Sequence, residues 1–171
     1  MRYPYFSVIF LFLAGMLFSQ PLLANAGFVS SEFASPLMRW VSEKMNVSVP
    51  YLPRMVVSRN QMVALIGNPQ RQAALARALY VPNMVVIDEE FWDADNTRTV
   101  SFLVHELVHH AQLFNGRKYP CANAKEREAY TLQNEWLAEH GLPPAVDESW
   151  VEQMAVCGVA NATRASLASD D

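Results

Sequence analysis

In the stretch TRTVSFLVHELVHHAQLF, Thr97 to Phe114, apolar residues fall at Phe102, Leu103, Leu107, Val108, Ala111 and Phe114, around most of a helical circumference. A helix of that kind is central and buried. Asp95 or Asn96 is placed to cap its start, and Asn115-Gly116 to end it with a left-handed cap. Yet the same stretch holds three of the chain's four histidines and a glutamate, His105-Glu106-Leu107-Val108-His109-His110. Burying such groups is costly unless they have partners, so the pattern calls for a purpose.

Spacing supplies one. His105 and His109 are four residues apart and stack on one helical face, where two imidazole nitrogens can reach one zinc ion at about 2.0 to 2.1 Å each. Glu106 lies one position round from His105, beside the metal without ligating it, where a carboxylate can take a proton from a bound water. His110 points about 100° away from His109 and is left without a metal role.

Two histidines need a third ligand. The extended pattern H-E-x-x-H-x-x-G-x-x-H fails, because Gln112 stands where the glycine belongs and Asn115 where the last histidine belongs. A following helix, Ala124 to His140, offers Glu126 and Glu128. Its apolar face is set by Ala129, Tyr130, Leu132, Trp136 and Leu137; Glu126 lies within about 45° of the centre of that face and Glu128 about 115° away. Glu126 is therefore the expected ligand, with Glu128 as the alternative.

Outward from this pair of helices the elements are fewer and shorter. Ser30 to Met45 is an amphipathic helix with Ser30 or Ser31 as cap. Met55-Val56-Val57 is a short strand, Asn60 to Ile66 a short helix, Gln70 to Leu79 another helix, and Val81 to Ile87 a second strand. Asp88-Glu89-Glu90 is expected to be its solvated exit. Trp40, Trp92, Trp136 and Trp150 are expected in the core. A last helix runs from about Asp147 to Ala160, and 161–171 is a polar tail. The fold class expected is α+β: a small, mostly helical domain over 27–160 with a short sheet.

Residues 1–26 have the marks of a secretory leader. Arg2 is the only charge before Glu32, the apolar run Phe6 to Phe18 is short of the roughly 20 residues that span a bilayer, and Ala24-Asn25-Ala26 fits a small-x-small cleavage site. An uncleaved anchor is the competing expectation. Cleavage removes one of 13 basic residues and leaves 12 against 17 acidic, a net charge near −5 that does not suit nucleic acid. Export to a periplasmic or extracellular space is oxidising, so Cys121 and Cys157 are expected as a disulfide rather than two buried thiols. Closing that loop would restrict the unfolded chain by roughly 3 to 4 kcal/mol.

H-E-x-x-H followed on the next helix by E-x-x-A resembles the gluzincin metallopeptidases of the thermolysin-like clan, especially their small single-domain members, the minigluzincins. The resemblance covers Val81 to Leu137. It implies a zincin-like fold whose edge strand, Val81 to Ile87 by analogy, holds an extended peptide or protein substrate. It implies one zinc ion on His105, His109 and Glu126, with Glu106 as general base. Many gluzincins carry an aspartate or asparagine after the alanine to orient a ligand histidine; this chain has Tyr130 there. His110, His140, Tyr119 and Tyr130 are the candidate donors to the oxyanion. The competing expectation is a non-catalytic exported domain that keeps zinc as a staple and binds another protein.

Overall fold

The computed structural model describes residues 27–66 and 77–158. Within them helices and strands follow the order β1 (Gly27–Phe28), α1 (Ser31–Met45), β2 (Arg54–Val57), α2 (Arg59–Ile66), β3 (Ala78–Val81), β4 (Met84–Ile87), α3 (Thr97–Ala111), α4 (Ala124–Glu139) and α5 (Glu148–Met154). The expected α+β class is what the chain adopts.

Caps are written locally. Ser30 turns its hydroxyl back to the Phe33 N–H, Asn96 accepts from Arg98 N–H and Asp147 from Trp150 N–H, each satisfying a donor that the first helical turn leaves without a partner. α4 ends in a Schellman arrangement: Gly141, at φ 70°, lets its own N–H reach Ala138 C=O and that of Leu142 reach Leu137 C=O. α3 ends earlier than expected. After Ala111 the chain tightens into turns, with Leu113 N–H on His110 C=O and Phe114 N–H on Ala111 C=O, before Gly116 takes the left-handed backbone at φ 67°.

The sheet runs β1-β2-β4-β3. β2 and β4 are parallel and form its centre, with β1 antiparallel at one edge and β3 antiparallel at the other. A parallel pair is covered on both faces, and its residues are buried accordingly. Met55, Val57, Val85 and Ile87 join the core that α1 and α3 complete through Leu37, Val41, Leu103, Leu107 and Val108. Val56 and Val86 alternate to the other face, where α2 lies against β4 and buries Met62. Each fully buried Val, Leu or Ile stabilises the fold by about 1.5 to 3 kcal/mol.

Val81 to Ile87 is not one strand. Pro82 fixes its own φ and Asn83 adopts φ 64°, so the apolar run folds back as a hairpin between β3 and β4. The edge strand that precedes the H-E-x-x-H helix is thus Ala78–Val81, and Met84–Ile87 is interior. Ala78 and Leu79, expected to finish a helix from Gln70, are strand; 70–76 lies outside the described residues, as do the expected leader over 1–26 and the expected tail over 161–171. Asp88 N–H bonds Arg77 C=O at 3.0 Å, marking a hydrogen-bonded pair. Pairs alternate along an antiparallel ladder, so Leu79 with Val86 and Val81 with Met84 carry the next bonds. Ala78 and Tyr80 then turn their backbone groups away from the sheet.

Two further expectations are corrected. Asp88 is not solvated: it is 1% exposed, its carboxylate 3.0 Å from Arg59 Nη1 and 3.1 Å from Glu90 N–H, because the strand exit folds under α2. The last helix stops at Met154, short of Ala160, because the chain must turn back to join Cys157 to Cys121. The tryptophans are partly buried; Trp40, Trp92 and Trp136 pack on the core as expected.

That disulfide closes a separation of 36 residues and ties the segment before α4 to the end of α5. Cys157→Ser should lower the unfolding free energy by about 4 kcal/mol, most of it through the unfolded chain. Equal denaturation midpoints for the two proteins would show that the crosslink contributes nothing.

Candidate metal centre

α3 and α4 pack side by side, and each turns a polar stripe to the other. On α3 the stripe is Ser101, His105 and His109, continued by Gln112; on α4 it is Glu126, Ala129, Tyr130 and Gln133, at intervals of three and four. Ala129 is fully buried, and its small side chain leaves room for the helices to close. Within that seam His105 Nε2 and His109 Nε2 are 3.2 Å apart, and Glu126 Oε2 lies 3.3 Å from the first and 3.6 Å from the second. Atoms about 2.0 to 2.1 Å from a tetrahedral zinc are about 3.3 Å from one another. The three donors fit such an ion, and among the described residues they are the group able to hold one.

The far nitrogens explain why the near ones converge. Gln112 Nε2 donates to Lys125 C=O at 3.0 Å and to Glu128 Oε2 at 3.2 Å, both acceptors, so its amide oxygen must be the atom 3.0 Å from His109 Nδ1. The neutral His109 ring therefore carries its proton on Nδ1 and turns the Nε2 lone pair into the seam. His105 is held the same way: Nδ1 is 3.1 Å from Gln133 Oε1, Gln133 Nε2 donates to Ser101 Oγ at 3.1 Å, and Ser101 Oγ donates to Arg98 C=O at 2.7 Å. The two glutamines thus fix the orientation of both imidazoles from behind. Sequence reading missed them, although Gln133 follows Glu126 by seven residues and Gln112 follows His105 by seven, two full turns each. Gln133→Ala and Gln112→Ala should each weaken zinc binding about 10- to 100-fold in competition with a chromophoric chelator. An unchanged affinity would remove that glutamine from the site.

Charge is arranged around the same atoms. Burial works against a charged His109, but the Glu126 and Glu106 carboxylates outweigh it and push its pKa up to about 9. Burial likewise works to raise the Glu126 carboxyl, and the two imidazoles overcome it, holding Glu126 far below the usual carboxylate range. Glu106 differs: it is 8% exposed, and burial raises its pKa against the pull of His105 and His109. Its carboxylate also takes a hydrogen bond from the backbone of Tyr80 on β3, so Glu106 lies beside the edge strand.

Glu128, the alternative ligand, is engaged one layer back by Gln112, Arg117 at 2.7 Å and Tyr119 Oη at 2.8 Å. Of the candidate oxyanion donors, Tyr130 is brought against the site, its ring 4.5 Å from that of His105. Tyr119 is spent on Glu128, and His140 Nδ1 bonds Trp136 C=O at 2.7 Å at the far end of α4. His110 faces the other way, toward Tyr51 and Tyr80.

Fold and site together define an α+β domain with a two-histidine, one-glutamate cluster fit for a metal ion and a buried carboxyl beside it. Residues 27–163 match the family described as "Domain of unknown function (DUF6647)", and the chain belongs to that family. Comparison with curated proteins and with solved structures gives no match. Among the described residues no helix is long and apolar enough to cross a membrane.

Proposed function

We propose that this protein is an exported zinc metallopeptidase of the gluzincin kind, hydrolysing peptide bonds in a peptide or protein substrate. The observation that carries the reading is the convergence of His105 Nε2, His109 Nε2 and Glu126 Oε2 within 3.2 to 3.6 Å, with Glu106 buried next to them. His105, His109 and Glu126 would hold a zinc ion, which would lower the pKa of a bound water toward 7 and polarise a substrate carbonyl. Glu106 takes the proton of the attacking water and returns it to the leaving amine. A carboxyl whose pKa is raised by burial is suited to both halves of that transfer, since a shuttle works best when its pKa approaches the working pH.

Substrate placement follows from the ladder. Ala78 presents its N–H and C=O and Tyr80 its C=O outward from the sheet, with the Tyr80 N–H turned to Glu106, so an extended peptide can add at those three groups alongside Glu106. Retention of Glu106 favours an enzyme over a zinc-stapled binding domain, because a structural site has no use for that carboxyl. The leader pattern and the Cys121–Cys157 disulfide support an oxidising compartment. The test is a peptide-library digest by the zinc-loaded mature chain, read by mass spectrometry: cleavage products that vanish on chelation are expected, and their absence from the loaded protein defeats the proposal.

A further inference from the structure

His110 is adjacent in sequence to a metal-facing histidine, fully buried, and taken up by neither metal nor base. Both of its nitrogens are engaged. Nε2 lies 2.9 Å from Tyr51 C=O, which can only accept, so Nε2 carries the proton and Nδ1 has a lone pair. Tyr80 Oη, 3.1 Å from Nδ1, therefore donates to it. Asn83 N–H donates to Tyr80 Oη at 3.2 Å, and Tyr51 Oη donates to Asn83 Oδ1 at 3.1 Å. The four bonds close a ring in which each residue donates once and accepts once.

That ring joins three pieces: the loop before β2, the tip of the β3–β4 hairpin, and α3. The tip needs such support. Its turn has positive φ only at Asn83, a type whose twist matches the flanking strands less well than the mirror-image turns. Arg54 N–H also bonds Asn83 C=O at 2.9 Å, so β2 and α3 together hold the tip. Tyr80 does two things at once: its hydroxyl is fixed by His110 and its backbone reaches Glu106. His110, Tyr51, Phe114 and Tyr80 pack ring against ring, with centroids 5.3 to 5.7 Å apart, which partly buries the two bonds made by His110, while the two made by Asn83 lie at the surface.

We infer that His110 is a positioning residue: through the ring it shares with Tyr80, Asn83 and Tyr51, it fixes the edge strand Ala78–Val81 against α3, so that a peptide added to that strand meets Glu106 and the metal site in a single register. The inference rests on the metallopeptidase reading. His110→Ala would open a cavity, so the test uses Tyr80→Phe, which removes one hydroxyl and with it two of the four bonds, and Tyr51→Phe, which removes one. Both variants keep the aromatic ring, including that of Tyr80, whose centroid lies 6.5 Å from that of His109, and both leave the three proposed ligands in place.

Amide exchange is read on the zinc-loaded and chelator-treated chain, and kinetics on a peptide that the wild type cleaves. In Tyr80→Phe, one zinc per chain is retained, exchange at 78–84 rises about tenfold while α3 keeps its protection, and KM rises about tenfold with kcat within about twofold. Tyr51→Phe moves the same quantities by less. Unchanged exchange at 78–84, exchange raised equally in α3, or a fall in kcat at constant KM overturns the inference and leaves the metallopeptidase reading standing. If the zinc-loaded wild type cleaves nothing, that reading fails instead; His110 is then a clamp with no register to set, and the inference falls with it.

Discussion

Mature chain purified with zinc is expected to hold one ion, and His105→Ala and Glu126→Ala each to lose it. Each variant leaves two donors on a site that needs three, and Glu126→Ala also takes from His109 one of the two carboxylates that favour its charge. The loss should appear as stability as well as stoichiometry. Free zinc at about a thousand times its dissociation constant stabilises the folded chain by about 4 kcal/mol, which for a domain of this size is a rise in Tm of roughly 10 to 20 °C. A chelator should reverse that rise in the wild type and do nothing to either variant.

The same measurement has a pH signature. Without metal, His109 keeps its proton up to about pH 9; ligation needs the neutral ring. Binding below that pH therefore releases a proton, and the apparent affinity should increase about tenfold per unit as pH rises toward about 9 and then level off. Metal retained by both alanine variants would refute the site, whereas affinity flat across that range would refute only the protonation of His109.

Glu106→Gln is the second large effect. The amide keeps the size of the side chain and the hydrogen bond from Tyr80 can be kept at its oxygen, but it cannot take a proton. Zinc content should stay at one ion while turnover falls about 100- to 10,000-fold, the range that general acid–base catalysis contributes. The expected stability change is small or favourable, since a buried carboxyl whose charged form is disfavoured becomes neutral. Equal inertness of wild type and variant, with zinc bound in both, would turn the assignment toward a zinc-stapled binding domain.

The parts of this molecule that could be read beforehand are those where one residue type at one spacing has a single physical use. The i, i+4 histidines placed their own nitrogens together, and the apolar face of α4 selected Glu126 over Glu128. The starts of α1 and α3 announced themselves to within a residue, at Ser30 or Ser31 and at Asp95 or Asn96, because a side-chain acceptor just ahead of an apolar period has few other roles. What escaped depended on tertiary company. Val81 to Ile87 is apolar enough to pass for one strand, and Pro82-Asn83 becomes a turn only because β2 and His110 receive its tip. Gln112 and Gln133 have unremarkable polar side chains until the helices meet. Asp88 looked solvated since Arg59, its partner, lies 29 residues away. The two-residue β1 carries no pattern of its own and exists by pairing with Val56 and Val57.

The triangle of donor atoms has a bearing on which metals the protein can refuse. Raw affinity of nitrogen and oxygen sites favours Cu²⁺ over Zn²⁺, so discrimination has to come from shape. Right-angled coordination, square-planar or octahedral, brings neighbouring ligands at about 2.0 Å to within about 2.8 Å of one another. Here the spacings are 3.2, 3.3 and 3.6 Å, with both imidazoles anchored from behind by glutamine amides and the carboxylate on a separate, tightly packed helix. Drawing the three inward would mean parting two anchored rings from their amides or shifting α4 along α3, which a seam closed over Ala129 resists. On the proposed reading, selectivity in this chain would be a property of helix packing, set before any ion arrives.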